Sequence, residues 1–203
     1  MTGFILSIVL AYLIGAIPTS VIFGRVLKGV DIREHGSKNA GATNVFRVVG
    51  RIPGIIVLVL DIFKGFFAAA FLPALFCKGA IGNFITLEAC QILLGTCAIA
   101  GHVFSVFLKM KGGKGVATTA GVMIALAPKV VGGSALVWVV VFSVFRIVSV
   151  ASVAASVCLP VFAVIFSGSV YTVIFTAILA VCSIYKHKPN LKRLVRGEEK
   201  KLF

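Results

Sequence analysis

Apolar residues in this chain come in long, nearly unbroken runs, with polar residues confined to short segments between them. The runs fall at about 3–24, 53–76, 82–108, 116–128, 130–145, 148–167 and 170–185. A helix rises about 1.5 Å per residue, so crossing about 30 Å of hydrocarbon takes roughly 20 apolar residues. Most runs suit that length. The pair 116–128 and 130–145 is shorter, and predicts either two short helices meeting near Pro128-Lys129 or one long kinked helix.

Composition agrees. The chain is 60% hydrophobic and 13% charged, with a mean hydropathy of +1.12. Ordinary soluble domains run near 45–50% apolar and about 25% charged. Lipid is therefore the expected outer solvent of one all-α, polytopic membrane domain over residues 1–203. The five cysteines, at 77, 90, 97, 158 and 182, form no CxxC pair and read as small buried hydrophobes.

Charge sets the expected topology. Net charge is +14, and a soluble chain so basic would suggest nucleic acid. Here the basic residues lie between apolar runs, so no nucleic-acid partner is expected; topology and anionic ligands account for them. Arg25 and Lys28 follow the first run, which suggests a spanning helix with its N-terminus outside rather than a cleaved signal peptide. With seven spans, the inward segments 25–52, 109–115, 146–147 and 186–203 hold 17 of the 20 basic residues. Six spans divide the flanking charges evenly. The positive-inside rule selects seven, with the C-terminus in the cytoplasm.

Three polar segments thereby share the expected cytoplasmic face. "GSKNAGATN" offers Ser37, Asn39, Thr43 and Asn44 as hydrogen-bonding side chains. Gly36 and Gly41 allow positive φ and close approach of backbone N–H groups to an anion. A helix from Ala42 to Val49 would begin near Asn39 or Thr43 and present Arg47 as a two-pronged donor. A plain cytoplasmic turn would need neither the glycines nor this density of small polar residues.

"KMKGGKG" is not a Walker A loop, because Leu108 and Gly115 stand where Gly and Ser/Thr are required. It reads as a glycine nest of Gly112, Gly113 and Gly115, with N–H groups converging on an anion and Lys114 as a point charge. The short helix that follows would add its positive dipole end. Positive-inside charge accounts for Lys109 and Lys111 but not for the glycines.

In the tail, His187 and Asn190 lie three apart, on one helical face if the last span continues through Pro189. Asp61 and Lys64, at i and i+3 inside the second span, are expected to pair, because isolated charges there cost several kcal/mol. Ser149 and Ser152 begin the sixth span, and Ser152 is placed to reach an inward-facing site. No spacing suggests a metal or cofactor, and no His-x4-Asp motif of the large lysophosphatidate-type acyltransferases occurs.

"GSKNAGATNVFR", "GHVFSVFLKMKGGKGVAT" and "YKHKPNLKRLVRGEE", in this order among seven spans, resemble the bacterial acyl-phosphate:glycerol-3-phosphate acyltransferase family PlsY. "LDIFKG" and "VSVAS" are similar to family stretches too, so the likeness covers nearly the whole chain. It implies transfer of an acyl group from a fatty acyl phosphate to the 1-hydroxyl of glycerol-3-phosphate, at the cytoplasmic side of the bacterial inner membrane. Neither metal, acyl-CoA nor acyl carrier protein is implied, and a monomer in the lipid bilayer is expected. Carried over residue by residue, the family's functional positions fall on Ser37, Arg47, Lys114, Ser152, His187 and Asn190. The chain departs from many members at Lys38, where they have Gly, and at Lys188-Pro189, where they have Arg-Glu.

The residues suit that chemistry independently. Two phosphate-bearing substrates need two anion cradles, and an acyl phosphate needs mainly positioning and charge stabilisation. Lys114, Arg47 and nearby N–H groups are expected to hold phosphates and the oxyanion. His187 with Asn190 would orient glycerol-3-phosphate, with His187 or a substrate phosphate as general base. Direct transfer is expected over a covalent acyl-Ser37. A small-anion transporter is the rival reading, but charge gathered on one face favours an enzyme. A structural protein without ligand leaves the glycine loop unexplained.

Overall fold

The computed structural model describes residues 2–203. Nine helices follow one another: α1 Thr2–Ala16, α2 Thr19–Lys28, α3 Ala42–Val48, α4 Arg51–Phe76, α5 Leu87–Val103, α6 Val116–Leu126, α7 Pro128–Phe145, α8 Val148–Phe166 and α9 Val170–Val195. A single 3₁₀ turn, Val106–Leu108, follows α5. Six helical stretches are long and apolar enough to cross a membrane, α1 and α2 counting as one. The exceptions are α3, of seven residues, and the apolar α6, whose 11 residues rise only about 16 Å.

The awkward pair of apolar runs resolves into two helices. Helix α6 stops at Leu126, and Pro128 opens α7, a position where the missing proline N–H costs nothing. The first run is broken as well: Pro18 separates α1 from α2, since a proline within a helix removes an N–H and crowds the preceding turn. The third run becomes helical only at Leu87, where the Thr86 hydroxyl accepts from the Ala89 N–H and caps the helix. The last helix continues through Pro189 to Val195, so His187 and Asn190 do share one helix. The cysteine expectation holds for buried Cys77 and Cys90, whereas Cys182 is exposed on α9.

A first compact unit ends at Leu126 and a second spans Ala127–Phe203. In the first, α4 packs on α5 and α6, and α1 packs on α4 and α5. Lipid tails are as apolar as leucine, so close backbone approach replaces the hydrophobic effect between such helices. A Cβ on Gly65 would strike the Thr118 carbonyl, and one on Gly121 the Ile62 carbonyl, so α4 and α6 touch nearly backbone to backbone. Gly15 against Ala98, and Gly101 against Tyr12, do the same for α1 and α5.

The break at Pro18 is repaired by polar side chains. Lys64 Nζ donates to the Ile17 carbonyl at 3.3 Å, and Ser105 Oγ donates to that of Ala16 at 2.6 Å. The expected ion pair forms, with Lys64 Nζ 2.8 Å from Asp61 Oδ1, and the Thr19 hydroxyl donates to the same oxygen at 2.7 Å. All these side chains except Thr19 are almost wholly buried.

In the second unit, α8 packs between α7 and α9. The Trp138 indole donates to Ser152 Oγ at 3.2 Å, and Ser156 Oγ meets Ser183 Oγ at 2.8 Å.

Gly121→Val, which forces a branched side chain into the α4–α6 contact, is expected to cost about 1–3 kcal/mol and to lower the thermal midpoint in detergent. Gly132→Val, where an added Cβ meets nothing within 4 Å, should leave the midpoint unchanged. Asp61→Ala strands the buried Lys64 ammonium, and a loss of about 3–5 kcal/mol is expected in the same melting measurement; an unaltered midpoint would show that the pair does not hold the break.

Candidate functional site

The loop before α3 is held by its own polar residues. Arg33 grips the Asp31 carboxylate through Nε at 3.0 Å and Nη2 at 2.6 Å, and Arg25 adds a contact at 3.2 Å. The Arg33 hydrogen bonds, above all, hold the Asp31 carboxyl well below the usual carboxylate range. Both guanidiniums are thereby engaged within the loop, while Arg47 lies on α3.

Asn44 organises the turn. Its Oδ1 accepts from the Ser37 N–H at 2.9 Å, while Nδ2 donates to the carbonyls of Ile32, His35 and Asn39 at 2.7, 3.1 and 3.1 Å. The side chain expected to bind substrate is therefore occupied in shaping the loop that presents Ser37. Gly36 has φ +60, and a Cβ there would run into Asn44 Oδ1, so only glycine fits. Lys38 also has a left-handed φ of 58, a conformation that costs a non-glycine residue about 1–2 kcal/mol.

Helix α3 begins at Ala42 with Gly41 before it and no side-chain cap, so Thr43 stands in its first turn and Asn39 just ahead of it, near the helix start as expected. Thr43 and Arg47 lie four apart on α3 and share a face. Asn39 Oδ1 is buried without a hydrogen-bond partner.

The glycine loop departs from the expected nest. The Gly112 N–H donates to the Val103 carbonyl and the Gly113 N–H to the His102 carbonyl, each at 3.1 Å. These donors satisfy the C-terminal carbonyls of α5, which have no partner within the helix, and so do not converge on an anion. Glycine is required for closeness instead: a Cβ on Gly112 would strike the His102 carbonyl, and one on Gly113 would strike His102 Nε2 and come within 2.5 Å of the Ala40 carbonyl. Gly115 has φ +83 and leads directly into α6. Lys114 is thus carried on a loop pressed against the end of α5 and against Ala40 of the preceding loop.

A small cavity lies beside these loops, lined by Thr19, Ala40, Lys64, His102, Ser105 and Gly113 among others. In the sequence His102 falls within the stretch GHVFSVFLKMKGGKGVAT, with no role assigned to it. Its Nδ1 sits 3.8 Å from Asp61 Oδ1, while Nε2 faces Gly113.

In the second unit, His187 and Asn190 are both buried on α9, and Ser152 is buried on α8. His187 Nδ1 lies 2.8 Å from the Ser183 carbonyl. A carbonyl only accepts, so Nδ1 carries the hydrogen and Nε2 of the neutral ring bears the lone pair. Asn190 Nδ2 donates to Glu199 Oε1 at 2.6 Å; Ser149 Oγ donates to that oxygen at 2.8 Å, and Arg193 Nε to Oε2 at 2.7 Å. Burial pushes the Glu199 carboxyl up, but the hydrogen bonds from Asn190, Ser149 and Arg193 outweigh it and leave it below its ordinary value. Glu199 was missed as a site residue; its one sequence signal is an acidic group within a strongly basic tail.

Comparison with known proteins finds relatives over nearly the whole chain. The family described as glycerol-3-phosphate acyltransferase matches residues 5–197. A glycerol-3-phosphate acyltransferase of Chlorobaculum tepidum is 40% identical, covering 100% of this chain and 97% of its own. One from Staphylococcus aureus is 39% identical over 98% of this chain and 97% of its own. The solved structure of PlsY (YgiH), an integral membrane glycerol 3-phosphate acyltransferase, in its glycerol 3-phosphate form superposes with a TM-score of 0.83. It is 34% identical, covering 98% of this chain and 94% of that one. The lysophosphatidic acid form gives 0.82 at 35% identity. Matched by the family over residues 5–197, by relatives at about 40% identity and by a solved structure over 98% of its length, the chain belongs to the PlsY family of glycerol-3-phosphate acyltransferases.

Proposed function

We propose that the protein transfers the acyl group of a fatty acyl phosphate to the 1-hydroxyl of sn-glycerol-3-phosphate, yielding lysophosphatidic acid and phosphate as the first acylation of phospholipid synthesis. The full-length match to structures named for a glycerol 3-phosphate form and a lysophosphatidic acid form carries this reading. The hydroxyl oxygen bonds to the acyl carbon as the acyl–phosphate bond breaks, and the hydroxyl proton leaves with a base or with the departing phosphate. The donor is already activated, so transfer is direct and the protein works by positioning and by stabilising developing charge.

Lys114 and Arg47 hold phosphate and oxyanion charge. Gly115, the one glycine of its loop with positive φ, sets the turn from Lys114 into α6. Ser37 and Thr43 offer hydroxyls to the substrates, and buried Asn39 Oδ1 accepts from a glycerol hydroxyl. His187 and Asn190 orient glycerol-3-phosphate, His187 through the ring edge that bears Nε2, while Ser152 offers its hydroxyl from the start of α8. No metal or cofactor enters this scheme.

The whole chain serves as one acyltransferase domain and acts as a monomer in the bacterial inner membrane. It crosses seven times, with α6 as a short fourth crossing, the N-terminus outside, and the motif loops and tail in the cytoplasm. The distribution of basic residues supports this orientation.

Purified protein given acyl phosphate and glycerol-3-phosphate should release lysophosphatidate and phosphate in equal amounts. No turnover, with anion uptake by proteoliposomes instead, would favour the transporter. Lys114→Ala and His187→Ala should each lower kcat/KM by about a hundredfold or more while remaining extractable as folded protein; near-normal rates would remove these residues from the site. In intact cells, a cysteine at Lys129 of an otherwise cysteine-free chain should react with an impermeant maleimide, and one at Glu198 should not. Labelling of the Glu198 position would overturn the seven-span orientation.

A further inference from the structure

Beneath the loop that carries Lys114 lies a buried polar group for which the proposed chemistry has no use. His102, near the end of α5, is 9% exposed, Asp61 is 1% and Lys64 is 5%. Asp61 Oδ1 is shared: Lys64 Nζ reaches it at 2.8 Å, the Thr19 hydroxyl at 2.7 Å and His102 Nδ1 at 3.8 Å. Lys64 is held in turn by the Ile17 carbonyl. One edge of the imidazole therefore faces a carboxylate that three elements hold in place.

The other edge faces the substrate loops. His102 Nε2 and Cε1 are the atoms that a Cβ on Gly113 would meet, together with the Ala40 carbonyl. The His102 backbone carbonyl also accepts the Gly113 N–H at 3.1 Å. The residue thus touches the glycine loop with both its main chain and its ring, one position before Lys114. Ala40, from the Ser37 loop, lies against the same point and lines the same cavity. A group made only to fill space here would be apolar. A ring with a carboxylate at one edge and the lysine loop at the other transmits the position of α4 to that loop.

We propose that His102 is a positioning residue for phosphate recognition. The imidazole packs between Asp61, itself held by Lys64 and Thr19, and Gly113; its Nε2 edge sets the place of Gly113 and hence where the Lys114 ammonium meets the phosphate of the substrate. This inference rests on the acyltransferase reading and on Lys114 as a phosphate ligand.

Two replacements separate the edges of the ring. His102→Gln keeps an amide at the distance of Nε2, against Gly113. His102→Asn keeps one at the distance of Nδ1, beside Asp61, and withdraws from the loop. Both are measured as purified protein with acyl phosphate and glycerol-3-phosphate, alone and combined with Lys114→Ala, alongside melting curves and direct glycerol-3-phosphate binding. His102→Asn should bind glycerol-3-phosphate more weakly and lose kcat/KM by about a hundredfold, His102→Gln should stay close to the wild type, and His102→Asn should add no further loss of binding to Lys114→Ala.

Wild-type affinity in His102→Asn would overturn the proposal. So would equal loss in both single variants, lowered melting points with unchanged binding, or losses that add to that of Lys114→Ala. Absence of turnover in the wild-type protein itself would instead count against the acyltransferase reading, which keeps the two failures distinct.

Discussion

An isolated charge inside a membrane-spanning helix costs several kcal/mol, and a proline that breaks such a helix leaves carbonyls without donors. In this protein the two liabilities cancel. Lys64 is neutralised by Asp61 and donates to Ile17 at the break before Pro18, while the Thr19 hydroxyl just beyond the break supplies Asp61 with a second donor. Neither the break nor the charges would be tolerable alone. Together they lock α1 and α2 onto α4, and Ser105 extends the lock to the segment after α5 through the Ala16 carbonyl. The loops that carry Ser37 and Lys114 lie against this knot.

The glycine loop spends two of its backbone donors on the fold itself. Its N–H groups at Gly112 and Gly113 close the carbonyl end of α5, which a tight, side-chain-free strip of backbone can approach and a bulkier one cannot. Lys114 is delivered by a backbone whose place is set by helix-end hydrogen bonding. Asn44 plays a matching part in the other loop, spending its amide on three carbonyls and the Ser37 N–H. In both loops the residues that surround a ligand candidate act mainly on the backbone that presents it.

The second unit joins a run of serine hydroxyls to one charged cluster. Ser156 donates to the Ser152 carbonyl and meets Ser183, whose own carbonyl orients His187. Glu199 gathers Ser149, Asn190 and Arg193 around one carboxylate. Bonds of this kind, short and shielded from water, fix rotamers that a long flexible side chain would otherwise sample.

The membrane class, the helical fold, the approximate runs and the residue set of the motifs were all legible in the chain, because lipid imposes a hydropathy signal that needs no tertiary contact to read. So was the Asp61–Lys64 pair, whose i, i+3 spacing is a property of one helix. Partnerships between distant segments were not legible. That Gly113 packs on His102, that Asn44 is consumed by its loop, that Ser105 mends a break 89 positions away, and that Glu199 binds Asn190 all depend on which helices adjoin. Adjacency among apolar helices is decided by close backbone fit at residues such as Gly65 and Gly121, and that three-dimensional fit has no counterpart in a one-dimensional pattern of polar and apolar positions.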